Sequence, residues 1–213
     1  HRRYYNPNNA VAVLVGNVTV DQARRFAETY FARYPGGARS PEIVTREPAQ
    51  GGPRRTVRFL EGARTPLVLL GHHGTRMGTD DFYALDVLTM VLSHGQGARM
   101  TQHITRKGRA VSAWSHNPDN RYAGMVVLGG TPNEPEGLEE EASEKERQEA
   151  HLEACRDLER MLVEEVERIQ EEPVTEQELK RIKKLTHYDF LTRLRSNESL
   201  AGTLATMEVQ EGW

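Results

Sequence analysis

At 213 residues and 24.1 kDa the chain is long enough for one large domain or two small ones. An apolar fraction of 37% and a charged fraction of 28% speak against both a membrane-spanning chain and full disorder. The longest apolar run, Ala10 to Val15, falls far short of the roughly 20 residues a spanning helix needs. The net charge of −3 hides an asymmetry. Residues 1–133 carry 17 Lys and Arg against 9 Asp and Glu, residues 134–172 carry 5 against 16, and the remainder is balanced at 6 against 6. The arginines of the basic part are scattered singly or in pairs, such as Arg24-Arg25 and Arg54-Arg55, with no basic run and no nucleic-acid motif, so no nucleic-acid partner is expected. His1 to Tyr5 is basic but no cleavable apolar segment follows it. The missing initiator Met predicts a piece of something longer. Cys155 is the only cysteine, which excludes an internal disulfide and a Cys-based zinc site and fixes no compartment.

In chain order, Asn8 to Val15 reads as a short buried strand that ends at the Gly16-Asn17 turn. Asp21 then sits where a cap or first-turn acid belongs, ahead of Ala23, Phe26, Ala27, Tyr30 and Phe31 at helical spacing. Tyr34-Pro35-Gly36-Gly37 stops that helix. From Ala38 to Pro53 the chain holds three prolines and the Gly51-Gly52 pair, the best linker in the sequence. Arg54 to Leu60 alternates with Val57 and Phe59 in phase, and Pro66 to His73 reads as a second strand. Thr79 or Asp80 caps a helix that carries Phe82, Leu85, Val87, Leu88, Met90 and Val91, and Gly95 and Gly97 break it. A short helix over Ala98 to Lys107 follows. Ala110 to Ser115 and Met125 to Leu128 then read as two strands joined by a loop rich in turn formers.

The last third is helical. Leu152, Cys155, Leu158, Leu162, Val166 and Ile169 form one apolar stripe, which predicts that the intervening glutamates face water. Pro173 ends that helix, Thr175-Glu176-Gln177-Glu178 has the form of a capping box, and Leu200, Leu204 and Met207 predict one more helix. The order predicts an α+β fold, mainly an antiparallel sheet with helices packed on one side.

The eight histidines do not form a metal motif. His72 and His73 point to opposite faces of a strand, and no H-E-x-x-H or H-x-x-E-H occurs. No G-x-S-x-G elbow is present, and Cys155 on the apolar stripe reads as a buried thiol. Composition and motifs alone predict no catalytic residue, metal ligand or cofactor in this chain.

Four stretches carry a resemblance. Tyr4-Tyr5-Asn6-Pro7-Asn8-Asn9 leads into an apolar strand, Gly16, and a helix that ends in Tyr30-Phe31. Glu47-Pro48-x-Gln50 precedes the next strand. Leu69-Leu70-Gly71-His72-His73 leads to Asp80-x-x-x-Ala84-Leu85-x-Val87-Leu88 and then Gly95-Gln96-Gly97-Ala98-Arg99-Met100. Pro173-Val174-Thr175-Glu176-Gln177-Glu178-Leu179 is the fourth. In this order they resemble the second half of the inverzincin metallopeptidases, the family of insulinase, pitrilysin and mitochondrial processing peptidase. The resemblance covers the chain except Glu136 to Ala150, which reads as a lengthened helix start.

The resemblance implies a processing-peptidase-like fold divided in three. Residues 1–37 are the last strand and helix of a zinc domain, 38–53 a linker, and 54–213 the non-catalytic partner domain. The zinc of this family would lie in an upstream half or a partner peptidase subunit. The chain would close over a peptide substrate, or serve as an inactive structural or assembly subunit. Some members offer the substrate an Arg and a Tyr seven residues apart; counting without gaps, these positions fall on Thr105 and Ser112. Arg106 and Trp114 are close neighbours of those positions, and Arg99 adds charge, which completes the candidate substrate-binding set. A first strand without its sheet also predicts self-association through residues 8–16.

Overall fold

A computed structural model describes residues 4–38, 48–63, 65–137 and 142–210. The chain forms two compact units, one of residues 60–189 and one that gathers the residues up to 59 with those from 190 onward.

The first of these holds the sheet. Strands β1 (Val68–His73), β2 (Ala110–His116) and β3 (Met125–Pro132) form an antiparallel sheet in the order β1-β3-β2. The register sets Val68 against Gly130 on one side of β3 and Trp114 against Gly129 on the other. A bulge lies between Ala110 and Ser112, so Val111 projects from the ladder and is 66% exposed. Because side chains alternate, one face carries Val68, Val126, Leu128 and Ala110, all buried. The other face carries Ser112, Trp114, Leu69 and Met125, the last two each 56% exposed.

Helices back the buried face. The first, α2 (Asp80–Ser93; α1 is Val20–Tyr30), is capped by Thr79, whose hydroxyl accepts from the Phe82 amide at 3.2 Å. It lies against β2 through a hydroxyl pair, Ser115 Oγ to Ser93 Oγ at 3.0 Å, and the same Ser115 oxygen donates to the Thr89 carbonyl. The longest helix, α3 (Glu144–Glu171), starts at a Ser143/Glu146 capping box and lays Leu158, Leu162 and Ile169 on the core. It begins well inside the acidic stretch. Helix α4 (Glu176–Arg193) adds Ile182, which is fully buried.

Several local readings change in the structure. The segment after Gly97 contains a π-helical turn, Thr101–Thr105, in which the amides of Arg106 and Arg109 reach back five residues to Thr101 and Ile104. Strand β3 continues through Gly129 and Gly130 to Pro132, four residues beyond Leu128. Arg54 to Leu60 forms no ladder, and Val57 and Phe59 are 48% and 58% exposed. Alternation makes a strand only where a neighbouring strand pairs with it, and no strand ladder forms over these residues among those described.

In the second unit a 3₁₀ turn at Pro7–Asn9 precedes α1, and Asn8 donates its side-chain amide to the Gly37 carbonyl. The buried strand read over Asn8 to Val15 does not form: residues 10–15 carry no ladder, and Val11 and Leu14 are 47% and 50% exposed, because no neighbouring strand among the described residues takes up their backbone. Thr19 and Gln22 cap α1 reciprocally, at 2.8 and 3.2 Å. The helix has no buried residue: Phe26, Tyr30 and Phe31 on its apolar side are 51%, 59% and 62% exposed. Helix α5 (Asn197–Gln210) completes this unit. Part of the predicted linker, residues 39–47, lies outside the described residues.

Candidate functional site

The candidate residues lie on the turn after α2, on the π-helical turn and on β2. Gly95, at φ +82°, turns the chain where an L-residue with a side chain would be strained. Arg99 follows and is 8% exposed. Its guanidinium forks onto Glu178, with Nε to Oε1 at 2.7 Å and Nη2 to Oε2 at 3.0 Å. It also donates to the carbonyls of Glu172 at 2.9 Å and Pro173 at 3.3 Å. The carboxylate it meets belongs to the Thr175 capping box, so one glutamate both caps α4 and anchors the turn. The Arg99 hydrogen bond, ahead of the capping contacts from Thr175, holds the Glu178 carboxyl down at about 2.

The π-helical turn that follows directs His103 at α3. Its Nδ1 lies 2.9 and 3.0 Å from the two oxygens of Glu165. Arg168 Nε is 3.4 Å from the same carboxylate. Glu165 is only 2% exposed, which corrects the placing of all the α3 glutamates on the wet face. It sits three residues after Leu162 and four before Ile169, on the buried stripe, where its carboxylate is met by His103 and by the Arg168 guanidinium. Its phase on that stripe was the signal in the sequence.

Thr105 and Arg106 close the turn. The Thr105 hydroxyl donates to the Thr101 carbonyl at 3.2 Å, while Arg106 is exposed and reaches Gln102 Oε1 at 3.3 Å. On β2, Ser112 Oγ accepts from the Thr131 amide at 3.1 Å. Trp114 stands on the same face, opposite Gly129, with the bulge at Val111 behind both. A Cβ at Gly129 would lie 2.6 Å from Trp114 Cζ2 and 3.0 Å from Leu69 Cδ2, so the bare glycine lets the indole lie across the strand toward Leu69. The structure thus sets Ser112 and Trp114 side by side, gives Arg106 to solvent, and uses the polar groups of Arg99 and Thr105 in bonds within the chain.

No metal centre can be built from these parts. Among the described residues no three His, Cys, Asp or Glu side chains are grouped to hold an ion. His72 and His73 pair with Val126 and Met125 and so point to opposite faces of the sheet. Cys155 packs against the core, and burial pushes its thiol up, away from the thiolate a metal or an electrophile would need. No described helix is long and apolar enough to cross a membrane.

Comparison with known proteins agrees with this geometry. Residues 1–186 match the family described as the peptidase M16 inactive domain. The chain is 27% identical over 215 residues to the zinc protease PqqE of Helicobacter pylori, covering 99% of this chain and 44% of that protein. The crystal structure of a protease from Helicobacter pylori superposes with a TM-score of 0.78 at 25% identity, over 99% of this chain and 48% of that one. A peptidase M16 inactive domain from Pseudomonas fluorescens shares the fold, with a TM-score of 0.62 at 18% identity over 93% of this chain and 42% of its own. The chain spans about half the length of these relatives. An antiparallel sheet backed by helices and a family match over residues 1–186 lead to one assignment: the chain belongs to the peptidase M16 inactive-domain family.

Proposed function

We propose that this chain is the substrate-closing, peptide-binding C-terminal part of a zinc metalloendopeptidase and is not catalytic by itself. The observation that carries the reading is the two-sided sheet. One face is buried under α2 and α3, while the other presents Ser112 and Trp114 beside the open apolar surface of Leu69 and Met125. A peptide laid there meets an indole and a serine on β2, while Arg106 adds an exposed positive charge on the π-helical turn that Thr105 closes. In this reading zinc belongs to an upstream half or to a partner peptidase subunit. Residues 1–37 complete that half, 38–53 link it, and 54–213 form the partner domain. The exposed apolar side of α1 and the unpaired residues 10–15 support this division, since both want a neighbour. A second copy pairing through residues 8–16 is the other way to satisfy that segment.

A second reading has its own support. Thr105 and Ser112 stand at the positions where the family's Arg and Tyr would reach substrate, and both hydroxyls are tied to backbone groups. This favours an inactive subunit with a structural or assembly role.

Two measurements test these readings. The purified chain is expected to hold no stoichiometric zinc after dialysis and to cleave no peptide. One equivalent of retained zinc with chelator-sensitive activity would reverse that. In the full-length or reconstituted peptidase, replacing Arg106 and Trp114 together by Ala is expected to lower peptide kcat/KM about tenfold, with circular dichroism unchanged. A change within about twofold, under ~0.5 kcal/mol of transition-state stabilisation, removes this surface from substrate binding and leaves the structural reading.

A further inference from the structure

We propose that the groove between the Gly95–Gly97 turn and the first turns of α4 binds acidic peptide segments, a site separate from the open face of the sheet. The groove has a volume of about 570 Å³ and is lined by Gly97, Gln177, Lys180, Arg181, Lys184 and Leu185, with Glu178 at one side. Lys180, Arg181 and Lys184 fall within about a quarter-turn of one another on the helix surface, at 100° per residue. Lys180 and Lys184 are exposed, and neither has a carboxylate within ion-pair distance among the described residues. Arg181 is fixed in place: its Nη1 donates to the His94 carbonyl at 2.7 Å, and its stem lies over Gly97, where a Cβ would come within 3.4 Å of Cδ and Nε. Its Nη2 is buried and has no acceptor among the described residues.

The charge of the groove comes from side chains. The α4 terminus is already capped by Thr175, and the one carboxylate in the lining, Glu178, is neutralised by the Arg99 fork. That leaves three cations in a lining that also holds the apolar Leu185 and Gly97. A segment that alternates carboxylates with an apolar residue complements both parts: the acids meet the lysines and Arg181, and the apolar side chain covers Leu185. A nucleic acid fits less well, because the lining offers no aromatic ring on which a base could stack. The inference goes beyond the peptidase reading and does not depend on it, since binding is measured without turnover.

The test is fluorescence anisotropy on the 213-residue chain with a labelled peptide alternating Glu and Leu, and with its Gln/Leu counterpart. The acidic peptide is expected to bind and to be released at about 1 M salt, where charges are screened within about 3 Å. The Gln/Leu peptide is expected to bind more weakly. Lys180→Gln with Lys184→Gln is expected to weaken the acidic peptide roughly tenfold, and because both side chains are exposed the fold should stay intact. No binding of the acidic peptide, equal binding of the two peptides, or no effect of the double substitution overturns the proposal. Tighter binding of a single-stranded oligonucleotide through the same lysines also overturns it, and assigns the groove to nucleic acid instead.

Discussion

Arg99→Ala is expected to lower the stability of the 60–189 unit by about 3 kcal/mol, because it leaves a carboxylate without its counter-charge. The value sits at the low end for a broken buried pair for two reasons: the Glu178 side chain keeps 19% of its surface exposed, and Thr175 still donates to it from its amide and hydroxyl. Two backbone carbonyls, those of Glu172 and Pro173, lose their donor at the same time, at the junction where α3 gives way to α4. Arg99→Lys is expected to recover only part of the loss, since an ammonium cannot fork onto both carboxylate oxygens and still reach those carbonyls. Urea unfolding of the three proteins measures the effect. A loss below about 1 kcal/mol for Arg99→Ala would show the pair to be no stronger than a surface ion pair.

The same pair sets a pH window. The Glu178 carboxyl is held down at about 2, against 4.5 for an unperturbed glutamate, chiefly by the Arg99 hydrogen bond. Its folded-state value is depressed, so its contribution is fully present above about pH 4.5 and is lost as the pH falls toward about 2. Glu178→Gln should therefore flatten that part of the stability profile relative to the parent chain. Parallel profiles would mean that other carboxylates govern the acid limb.

Local signals in the sequence explain why so much of the helical layer was legible. Thr79, Pro173 and the Thr175 capping box each act within a few residues, and each helix begins or ends where those residues place it. The face shared by Ser112 and Trp114 was legible for the same reason: both lie after the bulge at Val111, so the period of two is unbroken between them. What the sequence hid depends on distant partners. Arg99 and Glu178 are 79 residues apart, and nothing local to either says that one holds the other. Glu165 was readable by its phase but outvoted by its charge, and the His103 that meets it arrives on a π-helical turn, which has no pattern of its own. Residues 10–15 and 54–60 alternate or run apolar as strands should, yet form no ladder, because a strand is a property of a pair.

Gly130→Val is expected to destabilise the sheet by about 2–3 kcal/mol, the cost of forcing volume into a filled site, although Val is the better strand residue. A Cβ at this position meets the Ser112 carbonyl oxygen at a separation that real side chains do not adopt, with Ala113 Cα and Leu158 Cδ2 each at 3.2 Å. Two of those neighbours are backbone atoms of β2 and the third belongs to α3, so relief requires either β2 or α3 to move. Intrinsic propensity and packing thus point in opposite directions, and the magnitudes favour packing: strand preferences span about 1 kcal/mol in all. The change also reaches the candidate surface, because β3 is the central strand and carries Gly129, on which the Trp114 indole lies. Near-ultraviolet circular dichroism should therefore lose tryptophan signal in Gly129→Ala, whose Cβ would sit 2.6 Å from the indole and 2.9 Å from the Val68 carbonyl oxygen. A Gly130→Val chain as stable as its parent would show that β2 and β3 are not in the register that places Ser112 and Trp114 on one face.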